Sequence, residues 1–359
     1  MTKDSRPEYH SILAERGQPV HGRSLEIEVL RHDPDRIRVK GAIVDLRKQG
    51  FVPTGGDLQT SGIIHHMLLD AMVHRSDLML ESLEPLQPVI AYEPSEATDG
   101  ESCRDTAWRI PELAGRPLDA SFSKWLSAGF GGPLGCSHLL ALAHLLVATT
   151  PYALALDKSR FSGENAERED GERLFKRSLV LDGFEFSDSG RLQIIAQLND
   201  VHTRPQRQTK DLMDRLAFQR ELRLRADIQI PSMAFETLES EYRQRAGDSL
   251  VDATWEELTP RLSPLLGLGA LQGLSHRVLD LFSEQADMQP LQDVLLSVGP
   301  ALIQCLASMA GRMAENTSSY AAGPISSLGG MSDSCYIWRA GGPGLSHREA
   351  QMNMLDKES

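Results

Sequence analysis

The stretch that decides the fold runs from Leu25 to Asp45 and begins Leu25-Glu26-Ile27-Glu28-Val29-Leu30. Apolar and polar residues alternate there, which is typical of a strand with one buried face. A turn sequence, His32-Asp33-Pro34-Asp35, follows, and Ile37-Arg38-Val39-Lys40-Gly41-Ala42-Ile43-Val44-Asp45 alternates again. Two such runs around a short turn predict a β-hairpin.

The same order recurs in the second half of the chain. Arg177-Ser178-Leu179 repeats Arg23-Ser24-Leu25, and residues 191–200 echo 36–45, so that Asp200 matches Asp45. Residues 222–235 then match 78–92, and residues 268–276 echo 130–138. Echoes in one order predict an internal duplication: an α+β fold of two related halves, each an antiparallel sheet with packed helices, arranged around a pseudo-twofold axis.

The recurrence sets the predicted domain boundaries. They are an N-terminal arm at 1–22, a first repeat at 23–157, a linker at 158–174, a second repeat at 175–345 and a polar tail at 346–359. A functional cleft is expected at the seam between the halves.

Local patterns predict the smaller elements. Helices are expected at Arg104–Ile110, Ala120–Ala128, Ser137–Ala148 and Gly299–Met313, with a Gly/Ser loop at 323–330 and a last strand at 335–338.

Composition restricts the partners. The chain has 359 residues, with 37 basic and 50 acidic side chains and a net charge of -13. Such a surface repels phosphate backbones and anionic lipid, so neither nucleic acid nor a membrane is expected as a partner. The start of the chain lacks the apolar run of a secretory signal, and the four cysteines form no CxxC pair. Reduced thiols and a cytoplasmic location are expected, and a homodimer is left open.

A nucleotide cofactor is not expected. The glycine cluster Gly129-Phe130-Gly131-Gly132 lacks the preceding strand of a dinucleotide fold, and it is followed by Pro133. Nucleophile elbow and HExxH motifs are also missing from the sequence, so the expected enzyme, if there is one, works without a cofactor.

Cys136 and His138 open an apolar helix after a Gly/Pro turn. A helix N-terminus lowers the pKa of a thiol and favours a neutral histidine, which suits a base. The plain alternative is that Cys136 is a small core residue and His138 a capping partner. In the second half Leu274 stands where Cys136 stands in the first.

His65 and His66 are the second candidate pair. Adjacent residues of a strand point to opposite faces, so at most one of them faces a given site. A metal site built from His65, His66, His138 and Cys136 is disfavoured, because Cys136 and His138 diverge on a helix. No metal is therefore expected.

Asp45 and Asp200 close equivalent predicted strands, where an aspartate is most often a turn former. Four aromatic residues could form the wall of a site for a flat ligand or simply pack in the core: Trp125, Tyr152, Tyr336 and Trp338.

Several of these motifs resemble one family. Gly135-Cys136-Ser137-His138-Leu139 resembles the Cys-Thr-His-Leu motif of DUF2889, a bacterial family of unknown function, as do Ile64-His65-His66-Met67 and Cys335-Tyr336. The chain departs from that pattern at Ser137, where threonine is usual, and at His66, where an acid is common. The resemblance implies a link to bacteria that degrade aromatic compounds such as lignin-derived dimers, and to lyases that release formaldehyde from a hydroxymethyl group.

The leading hypothesis is therefore a cofactor-independent carbon–carbon lyase for a small aromatic substrate, working by general acid–base catalysis. His65 or His138 would take the proton of a phenol, and Asp45 or Tyr336 would handle the second proton. The expected substrate-binding residues are His66, Trp125, Tyr152, Cys136 and Trp338. The alternatives are a non-catalytic protein that binds a small molecule or a partner, and, less favoured, a metal-dependent hydrolase.

Overall fold

The computed structural model describes residues 17–347 and 349–350, except 51, 55–56, 162–166, 210, 231, 247–252 and 316–331. The predicted loop at 323–330, residues 1–16 of the predicted arm and most of the predicted tail lie outside the described residues.

An antiparallel sheet of nine strands forms the centre of the described chain, and the fold is α+β, as predicted. Its strands are β1 (Gln18–Arg31), β2 (Arg36–Arg47), β5 (Gly62–His74), β6 (Leu80–Val89), β7 (Arg173–Phe186), β8 (Arg191–Thr203), β9 (Leu216–Gln229), β10 (Ala234–Ala246) and β11 (Glu256–Glu257). A small hairpin of β3 (Val52–Thr54) and β4 (Asp57–Gln59) lies outside the sheet. The strand order is β11-β10-β9-β8-β7-β1-β2-β5-β6, so β1 and β7 pair at its centre.

The hairpin of β1 and β2 is confirmed. The Asp33 carboxylate accepts hydrogen bonds from the backbone N–H groups of Asp35 and Arg36 at 2.9 and 2.8 Å and so closes the turn. The resulting register places Arg23 opposite Asp45.

Two long helices lie on one face of the sheet. The helices of the chain are α1 (Ala120–Phe130), α2 (Ser137–Arg160), α3 (Thr259–Leu262), α4 (Leu274–Phe282) and α5 (Gln289–Glu315). Helix α2 packs against β1, β2 and β5, and α5 packs against β1, β7 and β8. Close approach needs a small residue: a Cβ on Gly183 would lie 2.2 Å from the Cys305 Sγ of α5. The side chains of both helices join one hydrophobic core that spans the two halves of the chain.

Several predicted boundaries were wrong. Strand β1 begins at Gln18, inside the predicted arm, and α2 continues through Pro151 to Arg160, past its predicted end and into the predicted linker. Residues 104–110 form only part of a 3-10 helix, Ala107–Leu113. Residues 335–338 are turns rather than a strand, because the N–H of Trp338 bonds to the carbonyl of Cys335 within the segment.

The two halves meet at the β1–β7 pair. Strands β1, β2, β5 and β6 follow one another outward from it in chain order, and β7 to β10 do the same on the other side. Such an order is expected of two related halves, and the duplication itself stays a prediction.

Helix α2 and the 24 residues from Ala286 to Met309 are long and apolar enough, by length and composition alone, to cross a membrane. In both, at least half of the most apolar window is buried inside the fold, as is also true of core helices.

Candidate functional site

A cavity of about 270 Å³ opens between the start of α2, the middle of α5 and the sheet. Both halves of the chain line it, in agreement with the expectation of a site at the seam. Its polar lining includes Arg23, Arg47, His65 and His138. Its apolar lining includes Tyr92, Leu271, Ile303, Tyr336 and Trp338.

Asp45 is the centre of a polar cluster below this cavity. It is fully buried, and Arg23 donates Nε–H to Oδ1 at 2.7 Å and Nη2–H to Oδ2 at 3.0 Å. His21 Nε2 lies 2.9 Å from Oδ1 in hydrogen-bond geometry. Burial alone would raise the pKa of Asp45, but Arg23 and the surrounding histidines outweigh burial and hold that pKa well below its usual value. Asp45 is therefore an ionised carboxylate that favours a positively charged partner. It lies inside β2 and does not form a turn.

His65 and His138 approach the other carboxylate oxygen. His65 Nδ1 lies 3.3 Å from Asp45 Oδ2, and His138 Nε2 lies 3.1 Å from the same atom. Neither nitrogen meets the geometry of a hydrogen bond, and neither has a hydrogen-bond partner among the described residues. The two rings are 3.8 Å apart between centroids and are tilted by 32°. Burial, followed by the neighbouring His65, lowers the pKa of His138 to about 3, so this imidazole is neutral, as predicted.

Asp45, His65 and His138 can also hold a metal ion, since one ligand atom of each lies within 4.8 Å of the others. The metal-binding set considered in the sequence analysis contained His65 and His138 together with His66 and Cys136, and it did not contain Asp45. Within the described residues, neither His66 nor Cys136 belongs to such a group.

Cys136 lines the cavity, but its thiol is not activated. Burial raises its pKa to about 12, although backbone N–H groups at the start of α2 act in the opposite direction. The predicted low pKa was therefore wrong, because desolvation of the thiolate outweighs the helix terminus. The Cys136 Sγ instead lies 3.7 Å from the Met67 Sδ.

The late turn segment contributes Tyr336 and Trp338 to the cavity wall. The N–H of Tyr336 bonds to the carbonyl of Gly135, which fixes this segment beside the start of α2. Trp338 packs edge-to-face on Tyr92 with ring centroids 5.4 Å apart. Both aromatic residues therefore lie in the cavity wall, and their role in binding stays a prediction.

The structure places three other predicted binding residues away from the cavity. His66 lies on β5 next to His65, and its side chain points to the opposite face of the sheet. Trp125 is 50% exposed on α1 and stacks on Arg116. Tyr152 lies farther along α2, where its hydroxyl accepts a hydrogen bond from Arg220.

Three residues of the candidate site were not predicted from the sequence: Arg47, His21 and Tyr92. Arg47 is only 3% exposed; its Nη1–H donates to the Gln59 carbonyl at 2.8 Å, and its Nε has no partner. Strand alternation could have found it, because Arg47 follows Asp45 by two residues and so shares its face. His21 could not be found, because the segment before Arg23 shows no strand pattern.

The second half has a related but different cluster. Arg177 donates Nε–H and Nη2–H to the two oxygens of Asp200 at 2.7 and 2.8 Å, as Arg23 does to Asp45. Asp293 of α5 occupies the place next to this pair and accepts a hydrogen bond from Arg177 Nη1. His276, the predicted counterpart of His138, is exposed on α4. The described part of the second half has no three-residue group that could hold a metal.

Comparison with known proteins gave one match. Residues 21–152 match the model of a family described as a protein of unknown function, DUF2889, which confirms the resemblance drawn from the motifs. This range contains the whole cluster around Asp45. No curated protein and no solved structure matches the chain.

Proposed function

We propose that this chain, whose residues 21–152 match the model of the DUF2889 family, is an enzyme that acts on a small aromatic anion, and that its reaction is a carbon–carbon lyase reaction. The observation that carries the proposal is the cavity itself. One side holds a buried arginine with no acidic partner, the floor holds the Asp45 cluster, and aromatic side chains line the wall between them.

The cavity supports a substrate of modest size. Ligand pockets usually measure about 300–1,000 Å³, so one of about 270 Å³ suits a single ring with a short side chain better than a large cofactor. Tyr92, Trp338 and Leu271 offer apolar surface to such a ring.

Arg47 supports a negative charge on the substrate. Two other buried arginines, Arg23 and Arg177, each bind an aspartate with two hydrogen bonds. Arg47 makes no ion pair with any described residue, and burial lowers its pKa. A buried charge without a partner is costly. A carboxylate or phenolate of the substrate would supply that partner through paired N–H···O bonds.

The lyase reaction requires a base near a hydroxymethyl group. The hydroxyl proton leaves to the base, the O–H electron pair forms the carbonyl of formaldehyde, and the carbon–carbon bond breaks. This cleavage needs a substrate whose benzylic carbon carries a hydroxyl or ether oxygen: the deprotonated phenol first expels that oxygen, which leaves with a proton as water or an alcohol, and becomes a quinone methide. The electron pair of the broken carbon–carbon bond then passes into the quinone methide, which becomes a phenolate again. His65 and His138 line the cavity, with Asp45 buried beneath them, and these histidines are the groups suited to removing that proton.

Binding is tested with the full chain and hydroxyphenyl carboxylic acids, with the matched amides as neutral probes. We expect the acids, and not the amides, to raise the melting temperature, because ligands stabilise the state that they bind. Arg47→Met removes this effect and Arg47→Lys weakens it. Arg38→Met is the control, since Arg38 lies on β2 but is exposed and paired with Asp70. Equal stabilisation by acids and amides contradicts an anionic substrate.

Turnover is tested by formaldehyde release from single-ring phenols with a short side chain and from aromatic dimers, both bearing a hydroxymethyl group. We expect release with the wild type and its loss in the His65→Gln and His138→Gln variants. Release that persists in the double variant contradicts the assigned floor. Binding without formaldehyde release contradicts the lyase reaction and leaves the alternative of a small-molecule-binding protein.

A further inference from the structure

We propose that Asp45, His65 and His138 form the three-residue binding site of one divalent transition-metal ion at the floor of the cavity. The ligand atoms are Asp45 Oδ2, His65 Nδ1 and His138 Nε2. This inference goes beyond the proposed lyase reaction, because metal binding can occur and be measured without any substrate.

The distances fit a shared ion. Zinc-to-nitrogen and zinc-to-oxygen bonds of about 2.0–2.2 Å place neighbouring ligand atoms roughly 3.0–3.5 Å apart in common geometries. The two histidine nitrogens lie 3.3 and 3.1 Å from Asp45 Oδ2. These separations match two edges of such a coordination shell.

Hydrogen-bond geometry distinguishes a metal site from a cluster that is held together by hydrogen bonds. His21 forms a hydrogen bond of 2.9 Å to Asp45 Oδ1, whereas His65 and His138 lie 3.3 and 3.1 Å from Oδ2 without the geometry of one. His65 is 5% exposed, so water does not readily satisfy its nitrogen. Two buried imidazole nitrogens without partners, beside one carboxylate oxygen, are explained by an ion that all three atoms bind.

The residues around Asp45 suit the outer shell of a metal site, which holds the metal ligands in position. Metal-ligating carboxylates are usually held by further hydrogen bonds, which fix their orientation. Arg23 and His21 provide these bonds to Asp45. All three ligand residues come from rigid elements, since Asp45 lies on β2, His65 on β5 and His138 at the start of α2.

The donor atoms select the kind of metal. Two imidazole nitrogens and one carboxylate oxygen suit zinc, iron(II), cobalt(II) or manganese(II), whereas magnesium and calcium prefer oxygen ligands alone. Three protein ligands leave coordination positions for water or substrate, as in catalytic sites. His65 and His138 also line the cavity, so those positions can face it.

The charge of the filled site agrees with an anionic ligand. A divalent ion, the Asp45 carboxylate and the Arg23 guanidinium sum to a net charge of about +2 in a buried setting. Arg47, in the same cavity, adds another positive charge. The complement is hydroxide or a substrate oxygen anion, and a bound ion would lower the pKa of the water or hydroxyl from which either one forms. In the filled site His65 and His138 would hold the ion as ligands.

Metal titration of the full-length, tag-free, chelator-treated chain tests the proposal. We expect one Zn²⁺ or Co²⁺ per chain by calorimetry and elemental analysis, and Co²⁺ absorption bands typical of nitrogen and oxygen ligands. His65→Gln and His138→Gln lower the affinity by more than the roughly 10–100-fold that loss of an outer-shell partner costs. His66→Gln and His276→Gln are matched controls and leave it unchanged.

Circular dichroism establishes that each variant is folded before its affinity is interpreted, and His138→Asn serves as a second variant at the helix start. A wild-type chain that binds no metal, or His65 and His138 variants that bind as the wild type does, overturns the inference. The metal titration needs no substrate, and acid binding by Arg47 is measured in metal-free protein, so failure of either proposal leaves the other testable.

Discussion

Arg23 and Asp45 face each other across β1 and β2 and are joined by two hydrogen bonds of 2.7 and 3.0 Å. Arg177 and Asp200 stand in the same relation across β7 and β8, with the same atoms in contact. The pairs differ in their third partners, which are histidines in the first case and Asp293 in the second. One kind of ion pair thus supports a cluster of histidines in the first half and pairs with a second carboxylate in the other half.

Replacing Arg23 by Met is expected to destabilise the protein strongly. Asp45 would keep a buried negative charge without its cation, and breaking one side of a buried ion pair costs about 3–5 kcal/mol. Urea unfolding measures the loss. Arg38→Met breaks the exposed pair with Asp70 and should cost about 1 kcal/mol or less. An equal decrease in unfolding free energy in the two variants would mean that the buried pair stabilises the protein no more than the exposed pair does.

Asp293 makes a pH-dependent contribution to stability. Burial raises its pKa from 3.8 to about 6, although Arg177 opposes the rise. The folded state therefore holds this proton more tightly than the unfolded state does. The contribution of Asp293 to the free energy of unfolding is fully present below about pH 4 and is lost as the pH rises to about 6, by about 3 kcal/mol in total.

Asp293→Asn isolates this contribution. Urea unfolding of wild type and variant between pH 4 and pH 7 should give a difference in unfolding free energy that favours the variant increasingly as the pH rises. A difference that stays constant across this range would show that the pKa of Asp293 is not raised.

Gly183→Ala tests the close contact between β7 and α5. The added Cβ would lie 2.2 Å from the Cys305 Sγ, and overpacking of this kind costs about 1–3 kcal/mol. In a Cys305→Ala background the same change should cost clearly less, which thermal unfolding of the double-mutant cycle would show. Gly129→Ala is the control, since no neighbouring atom lies within 4 Å of its added Cβ and the residue is inside α1.

Trp338 and Trp125 are expected to behave differently towards an aromatic ligand. Trp338 lines the cavity, so Trp338→Leu should weaken binding of a hydroxyphenyl carboxylate about fivefold, through loss of about 1 kcal/mol of ring contact. Trp125 is half exposed on α1, and Trp125→Leu should leave the affinity unchanged. Calorimetry would measure both. A weaker affinity in the Trp125 variant alone would place the ligand elsewhere.

The strands were predicted best where one face is buried and the other is not. Residues 25–30 and 37–45 alternate because α2 and α5 cover only one face of the sheet. Helix α2 was predicted too short because Thr149, Thr150 and Pro151 interrupt the apolar run, whereas tertiary packing holds the helix beyond them. The β1–β7 pairing joins residues far apart in the chain, which no local pattern indicates.

Part of the candidate site was also predictable. His65, His138, Asp45, Tyr336 and Trp338 were named from sequence, and the structure brings all five to the cavity or its floor. What sequence could not provide is the convergence of β2, β5 and the start of α2 on one carboxylate. The pKa of Cys136 was missed for the same reason, because desolvation depends on neighbours that come from other segments.

The central pairing of β1 with β7 has a consequence for how the chain can be divided. The range that matches the family model, 21–152, ends inside α2 and leaves out β7 entirely. A fragment of that range would present β1 as a long free edge that carries His21 and Arg23, without the cover of α5. Exposed edges of this length invite pairing with other chains. In isolation, the segment 21–152 would associate with other chains through β1, the strand that carries His21 and Arg23. The candidate site therefore depends on the second half of the protein, which the family model does not cover.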